Sequence, residues 1–152
     1  MFDPVHNGHL DLIERSLRIF DEVVVGVGIN PSKSALFAVE ERMEMIGEAT
    51  TGHQNFRIVA FDGLTIDLVT REHADCIVRG IRAVSDFEYE FQMALMNRRL
   101  RGTVETVFLM PHERYTYISS RLIKEVASYG ASVTGMVPTG VEKRLAAKYP
   151  QK

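Results

Sequence analysis

The apolar positions of this chain follow two periods in turn. Leu10, Ile13, Leu17 and Phe20 fall on one face of a helix, and the run that follows, Val23-Val24-Val25-Gly26-Val27-Gly28-Ile29, is short, β-branched and apolar on both faces. A strand covered on both sides, as in a parallel sheet, needs such a run. Ala38 to Thr50 predicts a helix with Glu40 and Glu41 in its first turn, Val39, Met43 and Ile46 on one face, and Gly52 as its stop. Phe56 to Phe61 predicts a strand, Leu64 to His73 a helix and Asp75 to Arg79 another strand. Ser85-Asp86-Phe87-Glu88 has capping-box spacing and opens a helix running to about Arg101, and Thr103 to Met110 predicts the next strand. Ser119 or Ser120 can cap a helix over Leu122 to Ala127 that stops near Gly130, and a last helix follows Pro138-Thr139-Gly140. No repeat, low-complexity tract or linker interrupts this order. The alternation predicts an α/β fold: a single domain over residues 1–152, built as a doubly wound, mainly parallel sheet with helices on both faces.

Composition narrows the partners. The 152 residues are 45% hydrophobic and 25% charged, enough for one good core. A net charge of −2 gives no general attraction to nucleic acid or to anionic membranes, so an anionic ligand must be held by local positive groups. Cys76 is the one cysteine, which excludes an intrachain disulfide framework, and it reads as a small hydrophobe in a strand. No apolar run approaches membrane-spanning length and no targeting pattern opens the chain, so a cytoplasmic protein is expected.

In a doubly wound sheet, ligands bind outside the carboxyl ends of the strands. Lys33, Thr65, the Arg79-Gly80-Ile81-Arg82 run and the loop from Tyr115 to Arg121 all follow predicted strands. At the other end of the argument, the turn Phe2-Asp3-Pro4-Val5-His6-Asn7-Gly8-His9 leads directly into the first helix. The open N–H groups and positive dipole of a helix mouth bind phosphate without a lysine, and His9 would add a side-chain donor. An ordinary Asn-Gly turn with surface histidines is the plain alternative. A metal reading of His6 and His9 lacks further ligands. Three basic residues at the same edge as a helix-mouth histidine point to a polyanionic small molecule. Gly80 would let a ligand approach the backbone closely, and the Ser119-Ser120 helix start supplies a second anion site. A Gly-x-Ser-x-Gly elbow, paired cysteines, a Walker lysine loop and a Gly-x-Gly-x-x-Gly fingerprint are all missing, which leaves phosphate chemistry done by positioning.

Four blocks in order carry a resemblance. Phe2-Asp3-Pro4…Asn7-Gly8-His9, Asn30-Pro31-Ser32-Lys33, Arg79-Gly80-Ile81-Arg82 with Asp86-Phe87-Glu88-Tyr89-Glu90, and Ile118-Ser119-Ser120 with Lys124-Glu125-Val126 resemble bacterial phosphopantetheine adenylyltransferases, from Phe2 to near the C-terminus. The resemblance implies a Rossmann-like nucleotidylyltransferase fold. It implies an enzyme of coenzyme A biosynthesis that joins ATP and 4′-phosphopantetheine to give dephospho-coenzyme A and pyrophosphate, usually as a homohexamer. Mg²⁺ would ride on the ATP phosphates, with no protein ligand set. His9 would stabilise the transition state at the α-phosphate and contact ATP. Lys33, Thr65 and Arg79 match phosphopantetheine-binding positions. Phe2, Gly80, Ile81, Arg82, Glu90 and Tyr115, Thr116, Tyr117, Ile118, Ser119, Ser120 and Arg121 match ATP-contacting positions. Dephospho-coenzyme A or coenzyme A would bind as product or end product.

The chain departs from that pattern at its start. In the family a strand and a Pro-Gly-Thr or similar turn precede Phe-Asp-Pro, and Met1 stands there instead. The expectation is that the central strand is absent from the chain as written and that the native protein begins about nine residues earlier, within ordinary strand length. Two alternatives stay open: another adenylyl- or cytidylyltransferase of the same superfamily, and a non-catalytic coenzyme A or nucleotide-binding protein.

Overall fold

The structure is a computed structural model that describes residues 2–29 and 34–150. In chain order the elements are α1 (Asn7–Ile19), β1 (Val23–Gly28), α2 (Val39–Ala49), β2 (Phe56–Phe61), α3 (Thr65–Arg71), β3 (Cys76–Gly80), α4 (Val84–Leu100), β4 (Glu105–Leu109), a 3-10 turn (Glu113–Tyr115), α5 (Ser120–Ser128) and α6 (Thr139–Lys148). The expected alternation of helices with β-branched strands is therefore present. β1 pairs with β2 in parallel, Val23 opposite Phe56 through Gly28 opposite Phe61. β3 pairs with β4 in parallel, Cys76 opposite Glu105 through Gly80 opposite Leu109. A parallel neighbour can be reached only by a long crossover, and α2 and α4 lie within those two connections.

The strands form two separate parallel pairs rather than one four-stranded sheet. Among the described residues, no strand pairs with the second edge of β1 or of β3. Helix α1 touches both pairs. Its Ile13 is buried in one cluster with Val25 and Val27 of β1. Its Leu12 lies over Gly80 of β3, where an added Cβ would sit 2.3 Å from Leu12 Cδ1.

The main core gathers Val25 and Val27 with Met45 and Ile46 of α2, Ile123 of α5 and Leu145 of α6. Burial of each such side chain contributes about 1.5–3 kcal/mol. A smaller cluster joins Ile66 and Val69 of α3 to Ile77 of β3 and to Val104. Helix α4 behaves differently, since Phe87, Tyr89, Phe91, Leu95, Met96 and Leu100 are all exposed, Tyr89 by 63%. Its start also differs from expectation. The N-cap is Ala83, with no side-chain cap, and the carboxylate of Asp86 turns back to Arg82. A guanidinium is a stronger partner for that carboxylate than a neutral amide. Among the described residues no helix is long and apolar enough to cross a membrane.

Candidate active site

The site is built on the segment that enters α1. Asp3 is only 2% exposed, and its carboxylate accepts hydrogen bonds from the amides of Leu36 at 3.1 Å and Phe37 at 3.0 Å and from Lys124 Nζ at 2.6 Å. Burial raises its pKa, but the Lys124 hydrogen bond and the two amides outweigh burial and hold it below the usual carboxylate range. Ser120 Oγ donates to the carbonyl of Pro4 at 2.8 Å, which fixes the start of α5 against the same segment. Asn7 donates through its backbone N–H to Met136 and through Nδ2 to the carbonyl of Gly135.

The helix begins earlier than the pattern predicts, so His9 lies inside its first turn rather than at its mouth. His6 is the N-cap, and the two histidines cap each other: His6 Nδ1 accepts from the His9 amide at 3.2 Å, and His9 Nδ1 accepts from the His6 amide at 3.3 Å. The geometry is that of a Ser-x-x-Glu capping box with imidazoles in both places. Their rings stack with centroids 3.6 Å apart. Phe2, whose φ of 49° is in the left-handed region, meets the His9 ring edge-on at 4.7 Å.

This arrangement determines what His9 can do. Because both Nδ1 atoms accept backbone N–H groups, each neutral ring carries its proton on Nε2. Burial, together with the Arg82 charge, pushes the His6 pKa down to about 4. Burial and the charges of His6, Arg82 and Arg79 push that of His9 well below its ordinary value. His9 is then a neutral Nε2–H donor at pH 7, not a cation.

The cations lie on β3 and just beyond it. Arg79 forms a two-pronged pair with Glu90 of α4, Nε to Oε2 at 2.7 Å and NH2 to Oε1, and this pairing raises its pKa further. Arg82 donates from Nε to Asp86 Oδ2 at 3.0 Å and from NH1 to the carbonyl of Ile118 at 2.6 Å. One guanidinium thereby ties α4 to the loop before α5. Asp11 of α1 accepts from Arg15 and from the amide of His112, which holds the other end of that loop. The N-cap of α5 is Ser119, whose Oγ accepts from the Leu122 amide at 3.1 Å.

The assembly joins a helix start, a neutral histidine donor, two arginines and a second helix start whose serine is anchored to the first. A sequence model of the cytidylyltransferase-like family matches residues 1–126. Over 147 residues the chain is 51% identical to the phosphopantetheine adenylyltransferase of Desulfosudis oleivorans, covering 97% of this chain and 88% of that one. It is 51% identical over 148 residues to that of Heliobacterium modesticaldum, covering 97% and 88% of the two chains. With that of Desulfatibacillum aliphaticivorans the identity is 53% over 144 residues, covering 95% and 82%. The chain belongs to the phosphopantetheine adenylyltransferase family.

Within this family member the expected site residues divide into groups. Phe2 and His9 are in ring contact, and Arg79 and Arg82 both act electrostatically on His9. Gly80 and Ile81 join the two arginines, but the open side of Gly80 is taken by Leu12, so its missing side chain admits a helix. Tyr115 is half-buried and stacks under Arg114 at 4.6 Å, while Thr116, Tyr117 and Arg121 are exposed. Ile118 is buried in the core and offers the site only its backbone. Thr65 is the first residue of α3 and is half-buried. Lys33 and its block Asn30-Pro31-Ser32 lie outside the described residues. Sequence reasoning missed His6 as a cap and Lys124 with Asp3 as an anchor. The His-x-x-His spacing was the signal for the first.

Proposed function

We propose that this protein transfers the adenylyl group of ATP to 4′-phosphopantetheine, giving dephospho-coenzyme A and pyrophosphate. The observation that carries this reading is about 50% identity over nearly the whole chain to proteins named for that activity. A phosphate monoester with a second pKa of about 6 is largely dianionic at neutral pH, so its oxygen attacks the α-phosphorus without a protein base. The new P–O bond forms as the bond to the bridging oxygen breaks, and pyrophosphate leaves. The enzyme's work is to hold two anions in line, and positioning of that kind contributes roughly 7–11 kcal/mol.

His9 donates its Nε2–H to an oxygen of the α-phosphate as charge grows there, and its neutral state keeps that donor from binding the ground-state triphosphate as a cation would. Lys33, Thr65 and Arg79 receive phosphopantetheine. Phe2, Gly80, Ile81, Arg82, Glu90 and the loop from Tyr115 to Arg121 receive ATP. Mg²⁺ arrives with ATP, and the described residues include no group of three or more His, Cys, Asp or Glu side chains built to hold it. Residues 1–152 act as one domain in the cytoplasm. The exposed apolar side chains of α4 support assembly, and a homohexamer is the expected form.

A panel of ATP and CTP, each with phosphopantetheine and with nicotinate mononucleotide, tests the reading. Pyrophosphate release only with ATP and phosphopantetheine is expected. Preference for CTP or for the mononucleotide would assign the protein to another branch of the superfamily, and binding without release would make it a binding protein.

A further inference from the structure

Asp3 and Lys124 form a covered ion pair, with side chains 2% and 27% exposed, and the reaction as read above uses neither. The carboxylate takes three donors from two directions. Oδ2 accepts from Lys124 Nζ at 2.6 Å and from the Leu36 amide at 3.1 Å, and Oδ1 accepts from the Phe37 amide at 3.0 Å. Lys124 stands one turn beyond Ser120 on α5, and Ser120 Oγ holds the carbonyl of Pro4, the residue after Asp3, at 2.8 Å. Leu36 and Phe37 belong to the connection from β1 to α2, whose sequence carries Lys33 three residues before Leu36. Neither side of this junction has room to yield: Phe37 is fully buried, as is Ile123 beside Lys124, and both lie in the main core.

The segments joined at Asp3 serve different ligands. Phe2, directly before it, meets the His9 ring and is assigned with Ser120 to ATP, whereas Lys33 is assigned to phosphopantetheine. We propose that Asp3, gripped by Lys124, is a positioning residue: it touches neither substrate and sets the spacing between the two halves of the site, so that the attacking phosphate meets the α-phosphorus in line. This rests on the reading above, in which those residues receive those substrates. Transfer between two held anions depends on their separation, and a misplacement of about 1 Å costs about 10²-fold in rate. Either substrate bound alone is blind to that spacing, so the loss falls on turnover.

The test is steady-state kinetics of Asp3→Asn, Lys124→Met and the double variant, with calorimetric titration of ATP and of 4′-phosphopantetheine taken singly. Asn leaves one acceptor oxygen where the carboxylate has two and turns an NH2 group toward a donor. Met keeps the stem of Lys124 and removes the ammonium. Each single variant should lower kcat about 10- to 100-fold, while both KM values and both calorimetric affinities stay within about threefold. The double variant should fall within about twofold of Asp3→Asn, because the two side chains act as one unit. A purely structural anchor would lower the unfolding temperature and leave the kcat of the folded enzyme unchanged. Circular dichroism at the working temperature confirms each fold, and Lys124→Met, which leaves both amide bonds to Asp3 in place, decides alone if Asp3→Asn does not fold. Unchanged kcat in folded variants, a loss confined to the binding of one ligand, or losses that multiply in the double variant would overturn the proposal. If the unmodified protein makes no product from the two substrates, the functional reading fails and takes this role with it. An active parent with the wrong variant pattern sinks this role alone.

Discussion

Replacing His6 by Asn removes a titrating ring while keeping an acceptor at the N-cap, where Asn is among the strongest residues. The His6 ring is 4% exposed, and its pKa is lowered from 6.5 to about 4, first by burial and then by the Arg82 charge. A histidine whose folded pKa is depressed takes up its proton more readily in the unfolded chain. Its contribution to stability is therefore fully present above about pH 6.5, falls as the pH drops, and is lost below about pH 4. At about 1.4 kcal/mol per pH unit the window amounts to about 3 kcal/mol from His6 alone. His9 is displaced in the same direction, in part by His6 itself, and steepens the loss. Urea unfolding of both proteins from about pH 7.5 to about pH 4.5 measures it. Carboxylates held low by partners, Asp3, Asp11 and Asp86 among them, contribute to both curves and cancel in the difference. The unmodified protein should lose about 2–3 kcal/mol more than His6→Asn across that range. Parallel curves would refute the claim that burial and the Arg82 charge hold the His6 ring neutral.

His9→Ala should lower kcat by about 10²- to 10³-fold with smaller changes in KM, as for the loss of one preorganised donor, and near-normal turnover would reduce His9 to a helix cap. Lys124→Ala leaves the buried Asp3 carboxylate without its cation and should cost about 3 kcal/mol by urea unfolding at pH 7. Gly80→Ala should destabilise by about 1–3 kcal/mol through its clash with Leu12, and thermal unfolding of the double variant with Leu12→Ala should recover part of the loss.

The sequence made the strands legible because a β-branched apolar run has few other uses, and Phe56–Phe61 falls where its pattern puts it. The loops carrying Arg79, Arg82 and Tyr115 to Arg121 were legible from their places after strands. What stayed hidden depends on contacts far apart in the chain. The start of α1 was read three residues late because histidine is not a usual cap, and only the mutual hydrogen bonds of His6 and His9 make it one. The helix expected to open at Ser85 opens at Val84 behind an Ala83 N-cap, and Asp86 in its first turn pairs with Arg82, a contact that the Ser-x-x-Glu spacing does not reveal. At Gly80 the local pattern suggests room for a ligand, and nothing in it reveals Leu12 overhead. Arg79 and Glu90 match positions on opposite ligands in the family pattern, and only the packing of α4 brings them together.

The central claim is adenylyl transfer to a phosphate monoester, and identification of the product tests it most directly. Incubated with ATP, Mg²⁺ and 4′-phosphopantetheine, the folded protein should yield dephospho-coenzyme A by mass spectrometry, with one pyrophosphate released for each molecule formed. Folded protein that binds both substrates yet forms no dephospho-coenzyme A, or that releases pyrophosphate without it, would contradict the account.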